Sequence, residues 1–141
     1  MNDEIVIDIV DWRDRQDVLM SIRQVVFVNE QQVPAELEWD GQDADCTHFL
    51  ATVNAMPVAT ARLTPQGQIG RMAVLKNHRG KGIGSQLLTT VIERAKQLGF
   101  NQVFLHAQVS VINFYQGHGF YAEGGRFIEA GIEHQTMRLS F

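Results

Sequence analysis

A glycine-rich turn between an apolar run and an amphipathic pattern constrains the fold of this chain more than any other feature. Residues 76–88 read KNHRGKGIGSQLL and place three glycines and three cations within residues 76–84. Glycine costs conformational entropy unless the backbone must take a special conformation or approach a ligand closely. Backbone N–H groups at a helix N-terminus are free, and the helix dipole favours an anion there. The stretch therefore predicts a strand-to-helix turn that holds a phosphate group.

The spacing of these glycines differs from that of two familiar nucleotide loops. Residues 80–85 do not match the P-loop pattern G-x-x-x-x-G-K-[ST]. They also come too late in the chain for the G-x-G-x-x-G turn that follows the first strand of a dinucleotide-binding sheet. A glycine-rich turn without any ligand is the plain alternative. Lys76, Arg79 and Lys81 favour the phosphate interpretation, because they add positive charge around the turn.

Hydrophobic periodicity predicts a mixed α/β order, with an antiparallel first part and a later strand-helix-strand crossover. Asp11 is the expected N-cap of the first helix, and Ser110 is the expected N-cap of the short last helix. Gly99 is expected to end the long helix that follows the glycine-rich turn. The predicted strands are 4–10, 47–54, 57–64, 68–75, 102–107, 120–125 and 133–140. The predicted helices are 13–28, 34–38, 83–98 and 111–118.

The two long helices each carry one apolar stripe that should face the core. These stripes are Val18, Leu19, Ile22, Val25 and Val26 in the first, and Ile83, Leu87, Leu88, Val91, Ile92, Ala95 and Leu98 in the second.

Length and composition predict an ordinary globular protein with one domain over residues 1–141. The single cysteine, Cys46, excludes an internal disulfide and a cysteine-based zinc site, and the histidines lack zinc-ligand spacing, so no metal is expected. The acidic N-terminus does not look like a signal peptide, and no apolar stretch is long enough to span a membrane. We therefore expect a cytoplasmic protein.

The net charge of −4 hides an uneven distribution. Residues 1–49 contain twelve acidic and three basic side chains, whereas residues 50–141 contain nine basic and four acidic ones. Such asymmetry suggests two partners or two ends of one site, and solvated faces are the plain alternative. Neither part is basic enough to indicate nucleic-acid binding.

Three stretches carry a family resemblance that covers the whole order of elements. Residues 79–84, RGKGIG, are similar to the R/Q-x-x-G-x-G/A loop of the GNAT acyl-CoA N-acyltransferase superfamily. Residues 72–79, MAVLKNHR, resemble the fourth strand of that family, and residues 114–120, FYQGHGF, resemble its F-Y-x-x-x-G-F helix and following strand. Residues 27–34 and 127–137 are similar to the ElaA/YjcF-like subgroup. The resemblance implies the GNAT fold: a twisted, mostly antiparallel sheet of about seven strands with a splayed parallel pair, flanked by about four helices.

The resemblance also implies roles for individual residues. The N–H groups of the loop would hold the coenzyme A pyrophosphate, and the backbone of residues 72–74 would pair with the pantetheine arm and polarise the thioester carbonyl. Tyr115 would protonate the departing thiolate. Gln108 stands where many relatives carry Asn, and Val111 where many carry Ala. The residues expected to bind acetyl-CoA are Met72, Ala73, Val74, Arg79, Gly80, Lys81, Gly82, Ile83, Gly84, Ser85, Gln108 and Phe114.

The sequence does not fix the base that deprotonates the acceptor. Glu30 and His134 rank first among the candidates, and a water chain without a direct base is an alternative. The other candidates are His106, His48, Glu38 and Asp40.

Together these expectations predict an N-acetyltransferase that moves an acetyl group from acetyl-CoA to a primary amine, with the amine attacking the thioester directly in a ternary complex. The acceptor, a small molecule or a peptide, is expected to be cationic, because the acids of residues 30–45, including Glu36, would attract it. Two alternatives are a non-catalytic acyl-CoA-binding sensor or interaction module, and a domain that binds another nucleotide. A second copy of the chain is a further expected partner, in a homodimer.

Overall fold

The computed structural model describes residues 3–141, and their strands form one seven-stranded sheet in the order β1-β2-β3-β4-β5-β7-β6. Neighbouring strands are antiparallel except β4 and β5, which are parallel. The mixed α/β class and the sheet predicted from the sequence are confirmed. The strands are Ile5–Val10 (β1), Thr47–Val53 (β2), Met56–Leu63 (β3), Gln68–Val74 (β4), Gln102–Gln108 (β5), Tyr121–Glu129 (β6) and Ile132–Ser140 (β7).

Within residues 3–141, four α-helices accompany the sheet: Trp12–Arg23 (α1), Ala35–Glu38 (α2), Ile83–Gln97 (α3) and Ile112–Gln116 (α4). A π-helical segment, Gln24–Glu30, continues α1, and short 3₁₀ turns occupy Asp43–Asp45, Lys76–His78 and Val109–Val111. No helix within residues 3–141 is long and apolar enough to cross a membrane.

The two long helices cover opposite faces of the sheet. Leu50 on β2 packs with the apolar stripe of α1, whereas its neighbours Phe49 and Ala51 pack with the stripe of α3. Successive side chains of a strand point to opposite faces. The sheet is therefore the middle of three layers, and its central strands are buried on both sides.

The helix termini confirm two of the three predicted caps. The Asp11 side chain accepts a hydrogen bond from the Arg13 N–H, 2.8 Å long, at the start of α1. Gly99 follows α3 with a φ of +90°, which is the left-handed conformation that favours glycine. Ser110 does not cap α4, because the preceding 3₁₀ turn places Val111 at the N-cap position, where no side chain makes the capping bond.

Two residues of the predicted apolar stripes are exposed. Val25 lies in the π-helical segment with 44 % of its surface exposed, because α1 keeps α-helical geometry only to Arg23. Leu98 follows the last residue of α3 and is 47 % exposed. Both misplacements occur where the helix changes or ends, so a constant helical period no longer applies.

Candidate active site

Strands β4 and β5 are paired only at one end. Within residues 68–108, the ladder between them is confined to Gln68 with Phe104 and Ile69 with Leu105. Beyond these pairs the strands diverge, and we call the gap between residues 72–74 and 106–108 the splay. A splayed parallel pair was predicted at this place.

A β-bulge turns β4 away from its regular course at the start of the splay. Thr60 lies opposite Ala73 and Arg62 opposite Gly70, so two residues of β4, 71 and 72, face one residue of β3. Arg71 has a φ of +50°, which is uncommon for a residue other than glycine. Bulges bend the strand that carries them. The bulge therefore accounts for the loss of pairing with β5.

Beyond Ile69 the bulged strand faces the splay with backbone groups that make no ladder to β5, and of these the Val74 carbonyl accepts a hydrogen bond from Arg79 Nε at 2.8 Å. The Leu75 N–H donates to the Val58 carbonyl, 2.9 Å away. The backbone N–H and carbonyl groups of Leu75, and those of Ala73 two residues earlier, therefore point toward β3. Because hydrogen bonding alternates along an antiparallel strand, the N–H and carbonyl groups of Met72 and Val74 point the other way. The structure thus brings the backbone of Met72 and Val74 to the splay, and it keeps that of Ala73 on β3.

The glycine-rich turn leads from β4 into the N-terminus of α3. Gly80 and Gly82 have φ values of +77° and +80°, and a Cβ built at either would have no heavy atom within 4 Å. Gly82 is the N-cap of α3 and offers no side-chain cap, so the N–H groups of Ile83, Gly84 and Ser85 are free of intrahelical acceptors. The turn therefore combines free donors with open space, which fits an anion such as a pyrophosphate.

Helix α4 packs against this helix start. The Phe114 ring lies 3.6 Å from the position of a Cβ on Gly84, so glycine here lets the two helices approach. His118 Nε2 lies 3.1 Å from Ser85 Oγ, a contact that joins the end of α4 to the first turn of α3. The Ile83 side chain is buried in the core, which leaves its backbone N–H as the group available to a ligand.

Tyr115 places a protonated phenol beside the bulged strand. Burial raises the pKa of Tyr115 to about 12. Its hydroxyl donates to Met72 Sδ over 3.9 Å, and sulfur is a weak acceptor. The hydroxyl is thus next to a residue of the splay and keeps a proton available for a stronger acceptor.

Glu30 lies across from the turn and is paired with Arg79. The two guanidinium nitrogens donate to its two carboxylate oxygens at 2.6 and 2.7 Å, and Arg79 Nε donates to the Val74 carbonyl at 2.8 Å. The hydrogen bonds from Arg79 lower the pKa of Glu30. This pairing weakens Glu30 as a proton acceptor.

His134 and Gln108 lie opposite each other on β7 and β5, at the end of the splay. Gln108 Nε2 donates to Gln31 Oε1 at 2.8 Å. His134 is buried, and its Nδ1 donates to the Ile132 carbonyl at 2.7 Å, since a carbonyl oxygen can only accept. In the neutral ring Nε2 therefore carries the lone pair. His106 is engaged differently, with its Nδ1 3.1 Å from Glu129 Oε2.

The acids of residues 38–43 are paired with arginines from three other elements. We call the six charged residues that form this arrangement the ionic cluster. Its arginines contact the carboxylates at 2.7 to 3.1 Å, and Glu38 and Asp43 are buried. These acids therefore offer little free negative charge to an acceptor, and the prediction of a cationic acceptor loses most of its basis. The cluster consists of Arg23, Glu38, Asp40, Asp43, Arg62 and Arg71.

The candidate base His48 and the single cysteine, Cys46, lie at this cluster rather than at the splay. His48 Nε2 is 2.7 Å from the Asp43 carbonyl, and burial lowers the pKa of His48. Burial raises the pKa of Cys46, whose thiol donates to the Gln42 carbonyl. Neither arrangement suits a base or a nucleophile acting at the splay.

Sequence reasoning missed several residues that organise the splay. Gln31 contacts Gln108 at one margin of the splay, the Thr60 hydroxyl donates to the Arg71 carbonyl at the bulge, and His118 contacts Ser85 at the start of α3. Isolated polar residues of this kind have no spacing that could reveal a role. The available signals were the position of Arg71 directly before residues 72–74, and the positions of Gln31 and His118 within the family-like stretches 27–34 and 114–120.

Comparison with known proteins identifies the same family over most of the chain. The family described as Acetyltransferase (GNAT) domain matches residues 15–141. The uncharacterized N-acetyltransferase YjcF of Bacillus subtilis (strain 168) is 33 % identical over 120 residues, which cover 82 % of this chain and 86 % of that protein.

Solved structures agree in fold. The crystal structure of Escherichia coli ElaA superposes with a TM-score of 0.85 at 30 % identity, and the match covers 96 % of this chain and 99 % of that one. A GNAT family acetyltransferase from Elizabethkingia anophelis, solved with acetyl-CoA bound, gives a TM-score of 0.72 at 17 % identity over 99 % of this chain and 100 % of that one. The first likeness confirms the ElaA/YjcF-like relationship predicted from the sequence, and the second concerns the fold alone.

Proposed function

The chain belongs to the GNAT acetyltransferase family, and from that premise we propose that it transfers an acetyl group from acetyl-CoA to a primary amine. The observation that carries the proposal is the backbone edge of Met72 and Val74, which β5 leaves unpaired and on which Arg79 Nε occupies the Val74 carbonyl. This edge has an anion-binding helix start at one end and the Tyr115 hydroxyl at the other. A ligand with a diphosphate, an amide-containing arm and a thioester matches that order of groups.

The donor would bind along this edge. The N–H groups at the start of α3, flanked by the open space at Gly80 and Gly82, suit the pyrophosphate. The amides of the pantetheine arm would pair as an added strand does with the backbone of Met72 and with the N–H of Val74, because the Val74 carbonyl already accepts from Arg79 Nε. A protein of the same fold was solved with acetyl-CoA bound, which supports acetyl-CoA as the donor in this proposal.

Acetyl transfer needs no covalent enzyme intermediate in this arrangement. The neutral amine nitrogen attacks the thioester carbonyl carbon, the C–S bond breaks, and the thiolate leaves. A backbone N–H of Met72 or Val74 stabilises the negative charge that develops on the carbonyl oxygen.

Tyr115 supports the leaving group. Its pKa of about 12 lies above the ordinary thiol value of about 8.5, so complete proton transfer to the thiolate is uphill. The hydroxyl therefore acts by donating a strong hydrogen bond as charge develops on sulfur; the thiolate takes its proton from water, and the acetylated nitrogen releases its extra proton to water.

His134 is the proton acceptor in this proposal. With Nδ1 donating to Ile132, the Nε2 lone pair is free to take a proton from the acceptor ammonium, directly or through a water. Glu30 is not given this role, because Arg79 already donates to both of its oxygens.

Thermal unfolding with acetyl-CoA, using ATP as the control ligand, tests the donor site. A ligand that binds only the folded state raises the unfolding midpoint by mass action. We expect a rise with acetyl-CoA, little change with ATP, and loss of the rise in Gly82→Asp, which places a carboxylate in the turn. Gly99→Asp is the matched control, because Gly99 has a similar φ of +90° at the other end of α3. Equal shifts with ATP, or no shift with millimolar acetyl-CoA, would overturn the donor assignment.

Turnover is tested by thiol release with a set of primary amines and matched tertiary amines. The proposal expects thiol release that depends on a primary amine and yields the acetylated product by mass spectrometry. Tight acetyl-CoA binding with no acetylation across the set would instead favour the non-catalytic binding module.

A further inference from the structure

Two adjacent residues connect the opposite margins of the splay. Glu30 contacts Arg79 in the turn that follows β4, with oxygen-to-nitrogen distances of 2.6 and 2.7 Å. Gln31 contacts Gln108 at the end of β5, at 2.8 Å. Residues 30 and 31 therefore form a bridge between the two strands where these lack backbone hydrogen bonds to each other.

The π-helical segment explains how both side chains reach their partners. The Gln31 N–H bonds to the Val26 carbonyl five residues earlier, at 3.0 Å, and Gln32 then leaves the helix with a φ of +58°. A π-helical turn contains more residues than an α-helical turn, so it changes the direction in which later side chains point. Such segments are rare and are frequent at functional sites.

The contact of Glu30 continues to the proposed donor-binding edge. Arg79 Nε donates to the Val74 carbonyl at 2.8 Å, so the chain of contacts runs from Glu30 through Arg79 to a backbone group that faces the splay. A carboxylate bonded to both ends of a guanidinium fixes the plane and direction of that group. Glu30 thereby determines where the Arg79 side chain lies before a ligand arrives.

The same contact contributes little to the stability of the fold. The Glu30 and Arg79 side chains are 37 % and 38 % exposed, and exposed ion pairs contribute little to the free energy of unfolding. An effect of Glu30 on ligand binding can therefore be separated from an effect on folding.

We propose that Glu30 and Gln31 are positioning residues that hold the margins of the splay, and with them Arg79, in the arrangement that accepts coenzyme A. This inference rests on the proposed function and assigns Glu30 to the donor side of the site instead of to the deprotonation of the acceptor. Gln31 serves the same arrangement from the β5 side through Gln108.

Isothermal titration with coenzyme A, which needs no acceptor, tests the proposal. We expect Glu30→Gln to raise the Kd about fivefold or more, within the range found for coupled neighbours. Gln31→Met, which removes the amide but keeps the length of the chain, is expected to raise it by a smaller factor. Glu93→Gln, an exposed acid on α3, removes the same charge and should leave the Kd unchanged. The unfolding midpoints of all three variants should stay close to that of the unmodified protein.

A double-mutant comparison shows whether Glu30 acts through Arg79. In an Arg79→Gln background, Glu30→Gln is expected to change the Kd no further, because the guanidinium that it positions is gone. Additive effects of the two substitutions would overturn the inference, as would a Kd that falls in Glu30→Gln, since Glu30 would then compete with the phosphates.

A base would behave differently from a positioning residue. If Glu30→Gln loses turnover while its Kd for coenzyme A is unchanged, the positioning role is wrong. If the unmodified protein itself does not bind coenzyme A, the proposed function fails and this inference fails with it. Normal binding by the unmodified protein with no effect of Glu30→Gln overturns this inference alone.

Discussion

The hydroxyl of Thr60 donates a hydrogen bond, 3.1 Å long, to the carbonyl oxygen of Arg71, the residue at which β4 bulges. Thr60 is buried on β3, and Arg71 holds a left-handed backbone conformation that is unfavourable for its side chain. Such conformations persist only where the surroundings enforce them. The bond from Thr60 is one of the contacts that keep the bulge, and therefore the splay, in place.

Thr60→Val is expected to destabilise the protein and to weaken coenzyme A binding. The substitution keeps the shape of the side chain and leaves the Arg71 carbonyl without this donor, which costs about 1–3 kcal/mol for a buried group. Urea unfolding and titration with coenzyme A measure the two effects. Thr90→Val is the control, because the Thr90 hydroxyl bonds to the Gln86 carbonyl on the exposed side of α3. Equal effects of the two substitutions would show that the bulge does not depend on Thr60.

The ionic cluster predicts a large loss of stability when its most buried member is removed. Arg23 is 1 % exposed and donates to Glu38 and Asp43 at 2.8 Å each. Removing one partner from a buried ion pair leaves charge that is not compensated, so we expect Arg23→Met to cost about 3–5 kcal/mol.

Urea unfolding at neutral pH measures that cost, and Arg126→Met provides the comparison. Arg126 lies 3.8 Å from Glu133 in a half-exposed pair, and its loss should change the free energy of unfolding by less than about 1 kcal/mol. If Arg23→Met were as stable as the unmodified protein, the two remaining arginines of the cluster would be enough to compensate the charge of its carboxylates.

Tyr115→Phe is expected to lower kcat by about 10²-fold or more and to leave the Kd for acetyl-CoA nearly unchanged. The hydroxyl is expected to act only as charge develops on sulfur, so its loss affects the transition state more than binding. The pKa of about 12 keeps the phenol protonated, and the shape of the rate profile between pH 6 and 10 should therefore be the same in both proteins. Steady-state thiol release across this range measures both quantities. If the profile of the unmodified protein rises or falls between pH 6 and 10 and that change is absent in Tyr115→Phe, the phenol titrates in this pH range.

The sequence allowed the regular elements and the turn to be predicted, because these depend on local patterns. The strands follow from β-branched runs, and the turn follows from glycines at Gly80 and Gly82, which do take positive φ values. The change from α-helix to π-helix after Arg23 was not predictable, because one or two turns of apolar periodicity do not distinguish the two geometries.

Charge was the least reliable guide to the site. From the sequence alone, the acids of residues 38–43 were expected to be unpaired and available to a cation. In the structure, Arg23, Arg62 and Arg71 form ion pairs with them from three different elements. Such pairing depends on tertiary contacts between residues far apart in the chain, and no spacing rule reveals it. The same limitation concealed the contact between Glu30 and Arg79, which are 49 residues apart.

Asp40 gives the ionic cluster a pH dependence with a definite sign. Burial alone would raise the pKa of Asp40, but hydrogen bonds from Arg62 and from the Gln42 N–H, together with the charges of Arg62 and Arg71, lower it from 3.8 to about 2. A pKa that is lower in the folded state contributes stability above the unfolded value, and this contribution is lost as the pH falls through the folded value. The free energy of unfolding should therefore be reduced between about pH 4 and pH 2.

Asp40→Asn isolates this contribution from that of the other carboxylates. We expect the difference in the free energy of unfolding between the unmodified protein and Asp40→Asn to be largest above pH 5, to shrink between about pH 4 and pH 2, and to approach zero only below pH 2, since protonation then removes the same charge. Urea unfolding at a series of pH values from 7 to 1.5 provides the measurement. Asp45→Asn, an exposed acid of the neighbouring turn, should differ little from the unmodified protein throughout. A difference for Asp40→Asn that is constant with pH would mean that its carboxylate is not held ionised by Arg62 and Arg71.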